Sequence, residues 1–490
     1  VNQLVRRIII PTLLIAGAAA RTLAWWQNRS LTLDEANLAR NICEKSFTEF
    51  FGRLDYDQYA PPLFCAFCKF FTQVFGNTEQ SLRAFPLICG LISIWLFFYV
   101  AQKMISNDWI LLITTWVFCF SETQIEYSSE CKQYIVDVFV ALAIIAFCLW
   151  QLKNTFRPAI AAILGVLAPW LSMPSVFILA GVGIVFMSDA LKSKNRRLLI
   201  QTGAISAIWM LSFALYYFTI LKKSVDTSSL NQYHQPWFFP LIPSTKSQML
   251  QVINLLKAFP YFTSGYTVLS LFAGGLGIII GLVSSARKKI SAFLLLGVPV
   301  ILCIIASGFQ FYSLIPRLIL WTFVLLMLIQ GIGWQWIIDR VSAYVAAPII
   351  VLLFVAVSVN KGWQVFNKPM QTEEVRSVLD TISFRFADDE ELYVHQEAWP
   401  AFAFYHDCYF KQDNYQFGNR IIQGTWNSKP SKQIITIGNT QHTRVWLVYS
   451  HVISQATRES MTSDLQVIGE YAHQVDSIKA VGAFAYLYEF

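Results

Sequence analysis

Apolar runs close to 20 residues long recur along this chain, and nothing else in it limits the fold so sharply. Bilayer hydrocarbon is about 30 Å thick and a helix rises about 1.5 Å per residue, so roughly 20 apolar residues cross it. About eleven runs approach that rule: Ile8–Trp26, Phe85–Val100, Trp109–Phe120, Tyr134–Trp150, Pro158–Leu171, Pro174–Met187, Leu198–Leu221, Tyr266–Ser284, Ile290–Ser307, Arg317–Ile338 and Val341–Val359. The 490-residue chain is 55% hydrophobic and 14% charged, with a mean hydropathy of +0.48, the composition of a polytopic α-helical membrane protein. Arg6-Arg7 before the first run has the look of a signal peptide. No small-residue cleavage site follows, and the run continues into Trp25-Trp26, so a retained span is expected.

The net charge of +7 would suit a nucleic-acid binder, but the placement of the charges points to topology, and no nucleic-acid partner is expected. With the N-terminus cytoplasmic, the inner loops collect Arg6-Arg7, Lys103, Lys153 with Arg157, the Lys192–Arg197 cluster, Arg287-Lys288-Lys289 and Arg340. Lys222-Lys223 is the exception, at the start of a long outer loop where the rule is weak. The long or polar outer loops are then Gln27–Arg83, Ser121–Gln133 and Lys222–Gly265. An odd number of spans places the C-terminal segment outside, in the extracytoplasmic space of a bacterial-type inner or plasma membrane.

Composition changes after Asn360, which divides the chain into a membrane domain, 1–360, and a small α/β domain, 361–490. "TEEVRSVLDTISFRF" has the period of an amphipathic helix, and "ELYVHQ", "TRVWLVYSHV" and "AFAYLYEF" read as strands. His395, His406, His442, His451 and His473 lie in this part, at spacings that match no metal motif. The nine cysteines are scattered, and Cys65-x-x-Cys68 lacks the second pair a zinc site would need.

Thr32-Leu33-Asp34-Glu35 has the form of a capping box opening a helix. Helix capping would explain it fully if it stood alone. It does not: the same loop carries "LDYDQYAPPLFCAFCKFF" and ends at Arg83. The next outer loop, "SETQIEYSSECKQYIVD", holds Glu126, Glu130 and Lys132, with Asp137 just inside the following span. Arg317, in "FQFYSLIPRLIL", stands at the mouth of a late span, where a snorkelling interfacial arginine is the plain alternative. Ionisable groups beside a bilayer are costly to place and mark function by default. Here they gather on one side of the membrane from four segments.

That ordered set resembles the GT-C superfamily of membrane glycosyltransferases, in the branch of the protein O-mannosyltransferases and lipid A aminoarabinose transferases. The matching pieces are Asp34-Glu35 after the first span, Pro61-Pro62-Leu63, Ser81-Leu82-Arg83, "EYSSECKQYIVD" and "PRLIL", all within about residues 5–340. Two departures stand out. Ala60 occupies a position before Pro61-Pro62 where relatives often carry Lys or His, and Lys132-Gln133-Tyr134 replaces a common Arg before Tyr.

The resemblance implies a membrane glycosyltransferase, hexosyl or pentosyl, that moves a sugar from a polyprenyl-phosphate donor to an acceptor hydroxyl outside the cytoplasm. The acceptor is a lipid, protein or glycan, and membrane lipids surround the enzyme. Because phosphate leaves as a stable anion, such chemistry needs a base at the acceptor and cations on the departing charge. The resemblance places the base at Asp34, with Glu35 as its supporting or capping neighbour. Phosphate binding falls to Lys132 and Arg317, with Arg83 as a third candidate. Single displacement inverts the anomeric carbon. A retaining route would need a second carboxylate, for which Glu126 and Glu130 are candidates. A divalent metal held by these carboxylates is left open, and no other cofactor is expected. Two other classes share the spans: a polysaccharide polymerase or ligase using a lipid-diphosphate donor, and a transporter or flippase. Transporters usually place ionisable groups near mid-membrane on broken helices, a pattern absent from these runs.

Overall fold

The computed structural model describes residues 2–154, 156–225, 232–358, 371–409, 415, 417, 421–425, 429–441 and 444–490. The 360/361 boundary, Val359 and His442 lie outside the described residues. Among the described residues, eight helices are long and apolar enough to cross a membrane: Val5–Trp26, Glu79–Met104, Tyr134–Gln151, Ser175–Lys192, Arg196–Leu221, Val268–Arg287, Ile290–Gly308 and Leu320–Ile338. The chain is thus an integral membrane protein, and eight of the eleven runs correspond to full-length helices. The other three form shorter helices, Asp108–Cys119, Pro158–Leu171 and Ala343–Ser358. At about 1.5 Å per residue they reach only about 18 to 24 Å. Local signals cut two of them short. Asn107 caps the first by accepting from the Trp109 and Ile110 N–H groups, and Pro158 starts the second at its first turn.

The segment 222–265, expected from sequence to be an outer loop, contains a 19-residue helix, Lys246–Ser264, capped by Thr245. It forms no continuous apolar run, because Lys246, Gln248, Gln251, Asn254 and Lys257 interrupt its hydrophobic residues. Leu320–Ile338 is buried along nearly its whole length and forms the centre of the bundle. It meets Val268–Arg287 almost backbone to backbone, since a Cβ on Gly333 would overlap the Gly277 carbonyl.

The bundle has two chemically distinct ends. At one, Arg6 pairs with Asp108 at 2.6 Å, Lys289 Nζ donates to the Met104 carbonyl at 2.8 Å, and the Ser106 N–H donates to Gln335 at 2.7 Å. At the other, Trp25 Nε1 donates to the Gln80 carbonyl at 3.0 Å, helix Pro62–Phe75 packs against the Glu79–Met104 span, and helix Leu33–Glu44 packs on Pro62–Phe75.

Beyond the bundle lies a five-stranded sheet of order β2-β1-β3-β5-β4. Its strands are β1 (Glu390–Val394), β2 (Ile421–Gln423), β3 (Arg444–Tyr449), β4 (His473–Ala480) and β5 (Ala483–Glu489). β1 runs parallel to β2 and β3, and β5 runs antiparallel to β3 and β4. The three strands expected from sequence are β1, β3 and β5, the central and most apolar ones. β2 is three residues long and β4 is a largely solvated edge, so neither carries a hydrophobic run to betray it. Helix Val375–Arg385 packs on β4 and β5.

Candidate active site

The capping box forms as the sequence suggests. The Glu35 N–H donates to Thr32 Oγ1 at 3.4 Å, and the Thr32 N–H donates to Glu35 Oε2 at 3.2 Å. The Glu35 carboxylate also does much more. It is fully buried and accepts from Arg83 Nε and Nη2 at 2.8 Å each, from Arg29 Nη1 at 3.0 Å and from the Cys131 N–H at 2.8 Å. Burial alone would raise its pKa. The Arg29 and Arg83 guanidiniums and these hydrogen bonds outweigh burial and hold it below the ordinary glutamate range.

This cluster places two of the residues singled out in the sequence, Arg83 and Glu35. Arg83 is not placed to hold a donor phosphate: it is buried, and its guanidinium is committed to Glu35 and to the Arg29 and Ser30 carbonyls, at 2.7 and 3.1 Å. Glu35 is not placed to touch substrate, because it is sealed inside the same cluster. Together they lock the loop before Asp34 to the start of the Glu79–Met104 span.

The C-terminal part closes over the same loop, a feature without any signal in the sequence. Tyr405 Oη accepts from the Leu31 N–H at 2.9 Å and donates to Glu79 at 2.9 Å. Arg376 Nη1 meets the buried Glu79 at 2.5 Å, and its Nη2 donates to the Asn28 carbonyl at 2.7 Å. Ser30 Oγ donates to Glu374 at 3.0 Å, and the Leu33 N–H donates to Glu373 at 3.1 Å. The other Glu373 oxygen lies 2.9 Å from His451 Nδ1, and this contact raises the His451 pKa against the effect of burial.

Held this way, Asp34 in the first helical turn turns into a cavity of about 410 Å³. Lys132, two residues before the Tyr134–Gln151 span, and Arg317, three before Leu320–Ile338, line the same cavity. Arg317 Nη1 lies 2.9 Å from Asp34 Oδ2, and its Nη2 donates to Tyr233 Oη at 3.1 Å. Lys132 Nζ donates to Gln58 Oε1 at 2.7 Å. The Lys132 charge, opposed by burial and reinforced by Arg317, lowers the Asp34 pKa, so the carboxylate is ionised at neutral pH. Arg317 is 32% exposed and Asp34 40%, which leaves both within reach of a ligand.

Glu126 and Glu130 do not line this cavity; they sit behind it, near Arg29 and Glu35. Burial raises the pKa of both, with Glu35 adding to the rise at Glu130 and Arg29 opposing it at each. The carboxylates that do share the cavity with Asp34 are Asp57 and Asp137. Among the described residues, no group of three His, Cys, Asp or Glu side chains gathers as a metal site.

Several lining residues escaped the sequence reading, among them Gln58, Tyr233, His234 and Lys222. Lys222 had left one trace, as the basic residue that broke the positive-inside pattern. A larger groove of about 1090 Å³ runs between Gln235–Pro240 and the Lys246–Ser264 helix, and shares Phe238 and Gln310 with the Asp34 cavity.

No protein-family model matches this sequence, and no curated protein matches it. Solved structures do. ArnT from Cupriavidus metallidurans in the apo state aligns with a TM-score of 0.54 and 12% identity over 96% of this chain and 97% of that one. The same protein bound to undecaprenyl phosphate aligns with a TM-score of 0.51 and 12% identity over the same shares. This chain is similar to ArnT in fold.

Proposed function

We propose that this chain is a membrane glycosyltransferase that moves a sugar from a polyprenyl-phosphate donor to an acceptor hydroxyl, with inversion. One observation carries the reading: an ionised carboxylate and two cations, drawn from three separate segments, meet in a single cavity at one end of the bundle. The ArnT fold and its undecaprenyl phosphate complex support the same class of donor.

In this reading Asp34 is the base and Lys132 and Arg317 hold the phosphate. The ion pair between Asp34 and Arg317 exists while the cavity is empty. An entering phosphate competes for Arg317, and its arrival frees Asp34 to accept the acceptor's proton. The negative charge that develops on the leaving phosphate then falls on two cations already in place, so little reorganisation is needed. The apolar groove beside Phe238 suits a polyprenyl tail or an apolar acceptor. Glu35, Arg83 and Arg29 position the loop and do not take part in the chemistry.

Lys132→Ala and Arg317→Ala should each weaken binding of a polyprenyl-phosphate sugar by about 1–3 kcal/mol, the scale of a hydrogen bond to a charged group. That is roughly five- to 150-fold in Kd. Wild-type affinity in both variants, measured by titration of detergent-purified protein, would remove these two residues from the phosphate site.

The orientation belongs to the same proposal: N-terminus in the cytoplasm, and residues 361–490 as an extracytoplasmic domain. Cysteines introduced at the exposed Ser46 and Ser463 should react with an impermeant maleimide added outside, and one at Ser193 should not. The reverse pattern would invert the topology.

A further inference from the structure

The far end of the Asp34-bearing helix carries a pair of groups that sugar transfer does not use. Cys43 lies in the last turn of Leu33–Glu44, and Cys408 ends the Phe404–Cys408 turn, which packs against that helix. The two thiols lie against each other across this contact and interact directly. Asn77 Nδ2 donates to Cys43 Sγ at 3.7 Å, and Lys69 Nζ donates to the Ile42 and Cys43 carbonyls at 2.8 and 3.2 Å. Tyr405, in the same turn as Cys408, is fixed to Leu31 and Glu79. The backbone on both sides of the sulfur pair is therefore held in place. Of the nine cysteines, Cys43 alone is not buried, so an oxidant can approach the pair from that side.

We propose that Cys43 and Cys408 form a disulfide that fastens the C-terminal domain to the helix carrying Asp34. The inference rests on the extracytoplasmic placement given above, because disulfides persist in oxidising compartments. The two sulfurs are not equivalent. The interaction with Cys408 and the Lys69 charge lower the Cys43 thiol pKa against burial, while the same interaction and burial raise that of Cys408. Cys43, the member of the pair that is not buried, is thus the attacking thiolate. The oxidant is an external disulfide, on a protein or a small molecule. Cys43, its proton lost to solvent, attacks one sulfur of that disulfide, forming a mixed disulfide and expelling the first thiolate. Cys408 then loses its proton and attacks the Cys43 sulfur, and the second thiolate leaves. Two protein thiols are oxidised to one disulfide, and the external disulfide is reduced to two thiols.

The test uses full-length protein in native membranes. Free thiols are blocked with N-ethylmaleimide under denaturing, non-reducing conditions. The sample is then reduced, treated with a heavier maleimide and mapped by mass spectrometry. Cys43 and Cys408 should carry the second label and the other cysteines the first. In Cys43→Ser, Cys408 should move to the first label, and Cys408→Ser should do the same to Cys43. First label on Cys43 and Cys408 in wild type, or a second label paired elsewhere, overturns the inference. Labelling of a cysteine at Ser46 separates the two ways of failing. If Ser46 reacts from outside while Cys43 and Cys408 are free thiols, the placement stands and the disulfide does not. If Ser46 reacts only from inside, the placement falls, and the disulfide with it.

Discussion

Asp34→Asn should lower sugar transfer by about 10²–10⁴-fold, the usual contribution of a general base. Asn cannot take the acceptor's proton, but it matches Asp in size and suits the start of a helix. The loss in stability should be small, within about 1 kcal/mol, because the pair with Arg317 is partly exposed to solvent. Donor binding should hold or improve, since removing the carboxylate leaves Arg317 to the phosphate alone. A fall in kcat with unchanged or tighter donor Kd is therefore the expected signature. Full activity in Asp34→Asn would return this residue to plain helix capping.

The second large effect is on stability. Glu35→Gln should destabilise the protein by about 3–5 kcal/mol, the cost of breaking a buried ion pair from one side. Arg29 and Arg83 would then keep their charges in a sealed site without a counter-ion. From sequence alone the same change would serve as a mild control, because Gln satisfies the capping box as well as Glu does. A thermal melt of the detergent-solubilised variant decides between the two, and a wild-type Tm would contradict the buried cluster. The pH dependence has a definite sign. The Glu35 pKa is lower in the folded state than in the unfolded state. Its stabilisation is thus present above the ordinary glutamate range and is lost only as pH falls through the depressed value.

Much of the membrane architecture was legible because the bilayer imposes one simple rule of length and polarity. The rule failed where local capping cut an apolar run short, as at Asn107 and Pro158, and where polar residues interrupted a helix, as in Lys246–Ser264. At the candidate site, sequence singled out Asp34, Lys132 and Arg317, and the fold brings these three to one cavity. It could not separate Arg83 from them. An arginine at the mouth of a span reads the same whether it faces a cavity or a buried carboxylate, and only the 2.8 Å contacts with Glu35 tell the two apart. The collar of Glu373, Glu374, Arg376 and Tyr405 lies some 340 residues or more from the loop it grips, as with Ser30 and Glu374 at a separation of 344. No local pattern in one sequence encodes a contact that distant.

The most direct measurement is to incubate the purified protein with a panel of polyprenyl-phosphate sugars and candidate acceptors and to follow release of the free lipid phosphate. At least one donor should be consumed by wild type, with inversion at the anomeric carbon of the product and with the rate falling by about 10²-fold or more in Asp34→Asn. No turnover of any polyprenyl-phosphate sugar, alongside turnover of a lipid-diphosphate oligosaccharide or plain transport of a lipid-linked sugar, would contradict the proposed reaction.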